Sequence, residues 1–385
     1  MDCVERAKAV IKKNTSKLGT SAGDYYPDIW CRDALISSLG MSLSKELSGI
    51  SKLNIDSVSS FQKATGQIPN KISSRGDMVC FGEGGCVDSS LWYPIAVLEY
   101  YKASKDEKFL YSHMYKIEKA LYWAHCLDVN NDHMIETNEG SDWMDVLLRS
   151  SRVLYDNVLL YGAMNSADRI REILGMEKKY HSYAEHLKAN INLFFWPRKD
   201  DMESVRKKFS FSGIDKDFET ALTAGEMPYY LADVGFRRFD SRCDVLANTL
   251  AVLFDVAGKD QARSILSHFD SDKVFEPYPV RVLSPPVFDD DMFRSWYFRK
   301  SDLPFLQHPG NYHNGGVWPF AGGFYVAMQK KLGKPSRDME KRLAEASELG
   351  NWRFSEWISA SGEPSGSANQ TWSAAMLIYA MRYKK

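Results

Sequence analysis

Apolar residues recur at helical spacing along almost the whole chain, and the strict alternation that marks half-buried strands is almost absent. This pattern predicts helices near 2–14, 33–48, 88–104, 107–127, 155–174, 177–195, 241–257, 259–269, 316–332, 335–350 and 370–383, with shorter ones near 56–65 and 218–233. In residues 88–102, DSSLWYPIAVLEYYK, the apolar positions follow an Asp-Ser start that can cap a helix. Residues 155–173 repeat the design. About a dozen helices without a sheet leave two architectures, a helical solenoid or a closed toroid of helical hairpins. A solenoid shows self-similarity at a fixed period, and this chain does not. Its connections (roughly 15–32, 66–87, 128–154, 196–217, 270–315 and 351–369) are long and rich in Gly, Pro and aromatics. Structureless loops of that length are usually functional, so they point to one functional face on a toroid. No linker or low-complexity segment divides the chain, and 1–385 reads as a single all-α domain.

A chain of 385 residues with 44% hydrophobic composition supports a large core. Its 13% aromatic content exceeds what the amphipathic pattern uses and suits a carbohydrate cleft. A net charge of −1 argues against nucleic acid or an anionic membrane as partner. The six cysteines (Cys3, Cys31, Cys80, Cys86, Cys126, Cys243) form no CxxC pair and no zinc-ligand spacing. The charged N-terminus has no signal-peptide core, and no run reaches the ~20 apolar residues of a membrane span. The expectation is a cytoplasmic protein without metal or cofactor.

Two carboxylates stand out. Asp145 lies in Asp142-Trp143-Met144-Asp145, just before a long helical run, and Glu356 lies between Phe354 and Trp357. Hydrolysis of a glycosidic bond needs one carboxyl protonated to release the leaving oxygen and another ionised to activate water or attack carbon. Trp143, Met144, Val146 and Leu147 would raise the pKa of Asp145 by desolvation, as a general acid requires. The residues alone leave open a helix-capping role for Asp145, with Asp142 as its local rival, and a surface-helix role for Glu356. Arg32-Asp33, beside Trp30, can fix sugar hydroxyls or form a structural pair, with Asp33 as a helix cap. Asp88 and Trp92, one turn apart, present the same choice.

Six blocks together resemble the catalytic domains of amylo-α-1,6-glucosidases, alkaline/neutral invertases and processing α-glucosidase I. They are Trp30-Cys31-Arg32-Asp33; Phe81-Gly82-Glu83 with Val87-Asp88-Ser89-Ser90-Leu91-Trp92; Asp142-Trp143-Met144-Asp145; Tyr312-His313-Asn314-Gly315-Gly316-Val317-Trp318-Pro319; Glu356; and Gln370-Thr371-Trp372-Ser373-Ala374. Their order is that of the family, over residues 30–380. The resemblance implies an (α/α)6 toroid and an inverting glycosidase with Asp145 as general acid and Glu356 as general base. It implies substrate contacts at Trp30, Arg32, Asp33, Glu83, Asp88, Trp92, Asp142, Trp143, Tyr155, Tyr312, His313, Asn314, Trp318, Gln370 and Trp372. Arg281 and Tyr297 are weaker candidates. The chain departs from the pattern at Tyr155, where such sequences commonly have a Glu, and it has no counterpart of the extra N-terminal domains of debranching enzymes.

The expected reaction is exo-release of terminal glucose from an α-glucoside, with a β-fructofuranosidase acting on sucrose second. A rival of another class is a sugar 2-epimerase, which shares the toroid and would use His308 and His313 as acid and base. A non-catalytic carbohydrate-binding toroid is a further alternative.

Overall fold

The computed structural model describes residues 2–290, 294–298 and 304–384. Among them, twelve helices have nine residues or more: α1 (Cys3–Lys13), α2 (Cys31–Ser42), α3 (Ser48–Ser60), α4 (Asp88–Ser104), α5 (Glu107–His125), α6 (Leu154–Ile173), α7 (His181–Phe194), α8 (Val245–Leu253), α9 (Lys259–Ser271), α10 (Pro319–Lys331), α11 (Arg337–Trp352) and α12 (Thr371–Arg382). The even-numbered helices pack in cyclic order, α2 on α4, α6, α8, α10, α12 and back to α2, so the ring closes. The odd-numbered helices form the outer layer. The architecture is the (α/α)6 toroid.

Burial follows from this placement. All twelve residues of α2 are buried, and the core runs through the inner ring. In the outer α5, burial falls on Phe109, Leu110, His113, Met114, Ile117, Ala120, Leu121 and Ala124, a stripe at helical spacing. Where α2 crosses α12 the backbones nearly touch. A Cβ on Gly40 would stand 1.9 Å from the Ala375 carbonyl oxygen, so only glycine fits.

The predicted helices hold with four adjustments; the one expected over 33–48 ends at Ser42, and the one expected over 241–257 is shortened to Val245–Leu253. The one expected near 56–65 is α3, which starts at Ser48. The one expected over 218–233 is the short Asp215–Ala221 helix, which gives way beyond Gly225 and Pro228 to a strand at Asp233–Gly235. Gly225 has φ +80°, and Pro228 lacks the N–H that a helix needs. The segment 196–217 also contains an unpredicted helix, Met202–Phe209. All strands are two or three residues long, too short to register as alternation. Several lie immediately before inner helices, as at Ile29–Trp30, Arg152–Val153 and Cys243–Asp244. No helix among the described residues is long and apolar enough to cross a membrane, and the six cysteines are free thiols.

Candidate active site

The inner helices present their N-termini to one end of the toroid, where the long loops gather. Trp30, Trp318 and Gln370 each enter α2, α10 and α12 from an extended residue, so their side chains turn towards the axis. Arg32 and Asp33 follow in the first turn of α2. Loops bring Tyr26, Trp143, Asp145, Tyr312, His313 and Glu356 over these ends. With Ala22 and Trp372 they line one narrow cavity of about 70 Å³. That is space for on the order of five waters, which suits one sugar ring better than several. Flat faces surround it. His313 stacks on Tyr312 (4.1 Å, 29°) and on Trp318 (5.1 Å, 25°), which also meet each other at 5.0 Å, Trp143 meets Trp318 edge-on at 5.3 Å, and Trp372 stacks on Phe320 at 4.0 Å.

Three carboxyls share this cavity, and burial lifts each. Asp145 rises to about 6, opposed by the Arg32 cation and helped by Asp142 and Asp88. Asp33 rises to about 7 despite Arg32, with Glu356 adding repulsion. Glu356, 5% exposed, rises to about 7, opposed by its hydrogen bonds and helped by Asp145. The Ser367 N–H donates to Glu356 Oε2 at 2.8 Å, and the Tyr26 hydroxyl stands 3.4 and 3.5 Å from its two oxygens. Burial lowers the pKa of His313 well below its usual range, so its imidazole is neutral.

Other expected contacts stand behind this wall. Asp88 accepts from Arg32 Nε at 2.5 Å and from the Tyr155 hydroxyl at 3.4 Å, and Trp92 Nε1 donates to that hydroxyl at 2.9 Å. The tyrosine that departs from the family pattern therefore joins a buried chain from Trp92 to Arg32. Asp142 accepts the Met144 N–H (2.7 Å) and Arg149 Nε (2.8 Å), fixing the turn that carries Asp145. Asn314 staples its loop through Val287 and Gln307. Glu83 is exposed on its loop and His308 on another, neither lining the cavity. Arg281 pairs with Asp272 and Tyr297 with Asp240, both away from the lining.

Tyr26 and Arg149 were not singled out by sequence. Tyr26 had a signal, the aromatic run before Trp30. Arg149 had none, because its partners Asp142 and Asp244 lie far apart in the chain. Four polar atoms of the lining are buried without a hydrogen-bond partner: Trp143 Nε1, Trp372 Nε1, His313 Nδ1 and Gln370 Oε1. Each such group costs about 1–3 kcal/mol unless a ligand or water satisfies it. No group of three or more His, Cys, Asp or Glu side chains among the described residues could hold a metal.

Gly366 makes room for Glu356. It adopts φ +69°, and a Cβ there would stand 2.4 Å from Glu356 Oε2. Gly366→Ala should displace the carboxylate from the Ser367 N–H and lower kcat about tenfold or more, with KM little changed and the melting temperature within a few degrees. Steady-state kinetics beside a thermal melt check this, and an unchanged kcat would show that the position of Glu356 is not critical.

The sequence pattern of the amylo-alpha-1,6-glucosidase family matches residues 6–379. The chain belongs to this family. A probable alkaline/neutral invertase D of Arabidopsis thaliana is 24% identical over 272 residues, covering 65% of this chain and 50% of the invertase. The match thus spans half of that curated relative. Among solved structures, the family's toroid here is similar to the GH63 mannosylglycerate hydrolase of Thermus thermophilus in complex with Tris. The TM-score is 0.75 at 11% identity, covering 98% of this chain and 99% of that one. A GH78 rhamnosidase of a Bacillus species gives 0.64 at 12% identity, covering 98% and 34%. At such identities the likeness is one of fold.

Proposed function

We propose that the chain is an inverting, exo-acting glycosidase that removes a terminal glucosyl unit from an α-glucoside, with Asp145 as general acid and Glu356 as general base. The observation that carries this reading is the pair of buried carboxyls on one aromatic cavity the size of a single sugar ring. The four unpartnered polar atoms supply donors and acceptors for its hydroxyls. The histidine-based epimerase loses support, since His308 lies outside the cavity and cannot face His313 across a substrate.

A second reading, a glycoside with a small aglycone, draws on the end-to-end match to mannosylglycerate hydrolase, 98% of one chain and 99% of the other. Assays on isomaltose, maltose, branched dextrin, sucrose, mannobiose and mannosylglycerate separate the readings. The proposal expects glucose from the first three, whereas cleavage of sucrose alone would favour the fructofuranosidase and of mannosylglycerate alone the second reading. Inversion of an α-glucoside releases β-glucose first. Proton NMR of the anomeric region in the first minutes should show it, and initial α-glucose would exclude inversion.

The pH profile follows from the two carboxyls. With Asp145 lifted to about 6 and Glu356 to about 7, the pair titrates in two steps that belong to both. Activity needs one proton on the pair. It is expected to fall below about pH 6, where a second proton binds, and above about pH 7, where the last one leaves. A bell-shaped kcat/KM should peak between these limits, and an optimum below pH 5 or above pH 8 would contradict the electrostatics.

A further inference from the structure

The toroid has a second hollow away from the catalytic cavity, lined by residues of all six inner helices or their C-terminal ends, from Leu39 and Leu43 at α2 to Tyr379 and Arg382 on α12, with Phe324 the contribution of α10. Its volume is about 1190 Å³, and none of its lining residues belongs to the catalytic cavity. Small side chains border it, Ala103 on α4 and Ser166 on α6, while the space beside Gly162 is taken by the Phe254 ring. The two cavities are separated by Trp92, which stacks on Phe324 at 5.5 Å and meets Phe254 edge-on at 6.4 Å on the far side, while its Nε1 donates to Tyr155 on the catalytic side.

We infer that this hollow is a second, non-catalytic site for a neutral saccharide of about two to four rings; the choice of ligand class rests on the glycosidase reading above. Its chemistry is aromatic and hydroxylic. Tyr161, Tyr379 and Tyr383 contribute rings to the wall, with Tyr379 and Tyr383 5.4 Å apart at 55°. Amphipathic rings of this kind hold ligands that have both apolar faces and hydroxyls. Apart from the exposed Lys384 at its edge, charge is already answered within the protein. The helix C-termini, which carry partial negative charge, receive Arg382 at the Leu43 carbonyl (2.8 Å), Lys331 at Leu253 (2.7 Å) and Lys330 at Ala380 (2.7 Å). Lys102 pairs with Glu99 at 2.5 Å, and Lys331 with Asp255 at 2.8 Å. An ionic ligand would have to break these pairs, whereas a neutral one would not. The volume exceeds the ~300–1,000 Å³ of ordinary small-molecule sites, as several sugar rings require.

Calorimetric titration of the full chain carrying Asp145→Asn with maltotriose tests the site. Two binding events are expected. Tyr383→Ala should weaken one of them at least tenfold, and Ala103→Trp, which fills the hollow, should abolish that same event and leave the other unchanged. A single event that neither variant moves, or two events that neither moves, overturns the second site. A single event that both variants diminish supports it while counting against the α-glucoside reading of the catalytic cavity. If Ala103→Trp does not fold, Tyr383→Ala decides alone.

Discussion

Asp145→Asn and Glu356→Gln are each expected to lower kcat at least ~10²-fold while the fold persists, because each removes one proton-transfer role worth ~10²–10⁴-fold. Their responses should differ with the leaving group. An aryl glycoside whose phenol departs without a proton should restore much of the rate in Asp145→Asn and little in Glu356→Gln. The contrast matters because the net shifts order the two carboxyls the other way, with Glu356 at about 7 even after its hydrogen bonds have lowered it and Asp145 at about 6. The hydrogen bonds favour the assigned roles. The Ser367 N–H and the Tyr26 hydroxyl both point at Glu356, and an ionised carboxylate, which only accepts, uses both fully. Rescue of Glu356→Gln instead of Asp145→Asn would reverse the roles, and a near-wild-type kcat in either variant would remove that residue from the reaction.

The helices and the two carboxylates were legible in the sequence because each has a local signal. Periodicity marks a helix within a few turns, and aromatic neighbours mark Asp145 and Glu356. The depth of a side chain along the toroid axis is less legible. Asp88 and Trp92 lie four residues apart on one stripe of α4, and this spacing puts them on the same inward face with Trp92 about 6 Å further along the axis. Sequence shows the shared face, whereas only packing shows that Trp92 and Tyr155 stand behind the wall while Trp30, Trp318 and Trp372 form it. Tyr26 escaped for a related reason, since its partner Glu356 is 330 residues away in the chain. The short strands escaped because two residues cannot display a period of two.

Arg149→Met is expected to destabilise the protein by roughly 3–5 kcal/mol, the cost of leaving buried charges without their partner. The Arg149 side chain is 3% exposed, and its guanidinium bridges Asp142 (Nε, 2.8 Å) and Asp244 (Nη1, 2.6 Å), themselves 4% and 0% exposed. Asp244 also caps α8 by accepting the Ala247 N–H at 2.9 Å, and Asp142 holds the turn that leads to Asp145. One cation therefore ties the loop that carries Asp145 to the wall of the toroid. Its loss should cost catalysis as well as stability, by freeing the loop rather than by removing a group that touches substrate. Arg149→Lys keeps the charge but has no planar fork to span both carboxylates, so an intermediate loss is expected. Urea unfolding of the three proteins, with kcat measured well below the melting range, separates the effects. Stability within ~1 kcal/mol of wild type in Arg149→Met would show that the ion-pair bridge is dispensable, and full kcat in that variant would show that Asp145 is positioned without it.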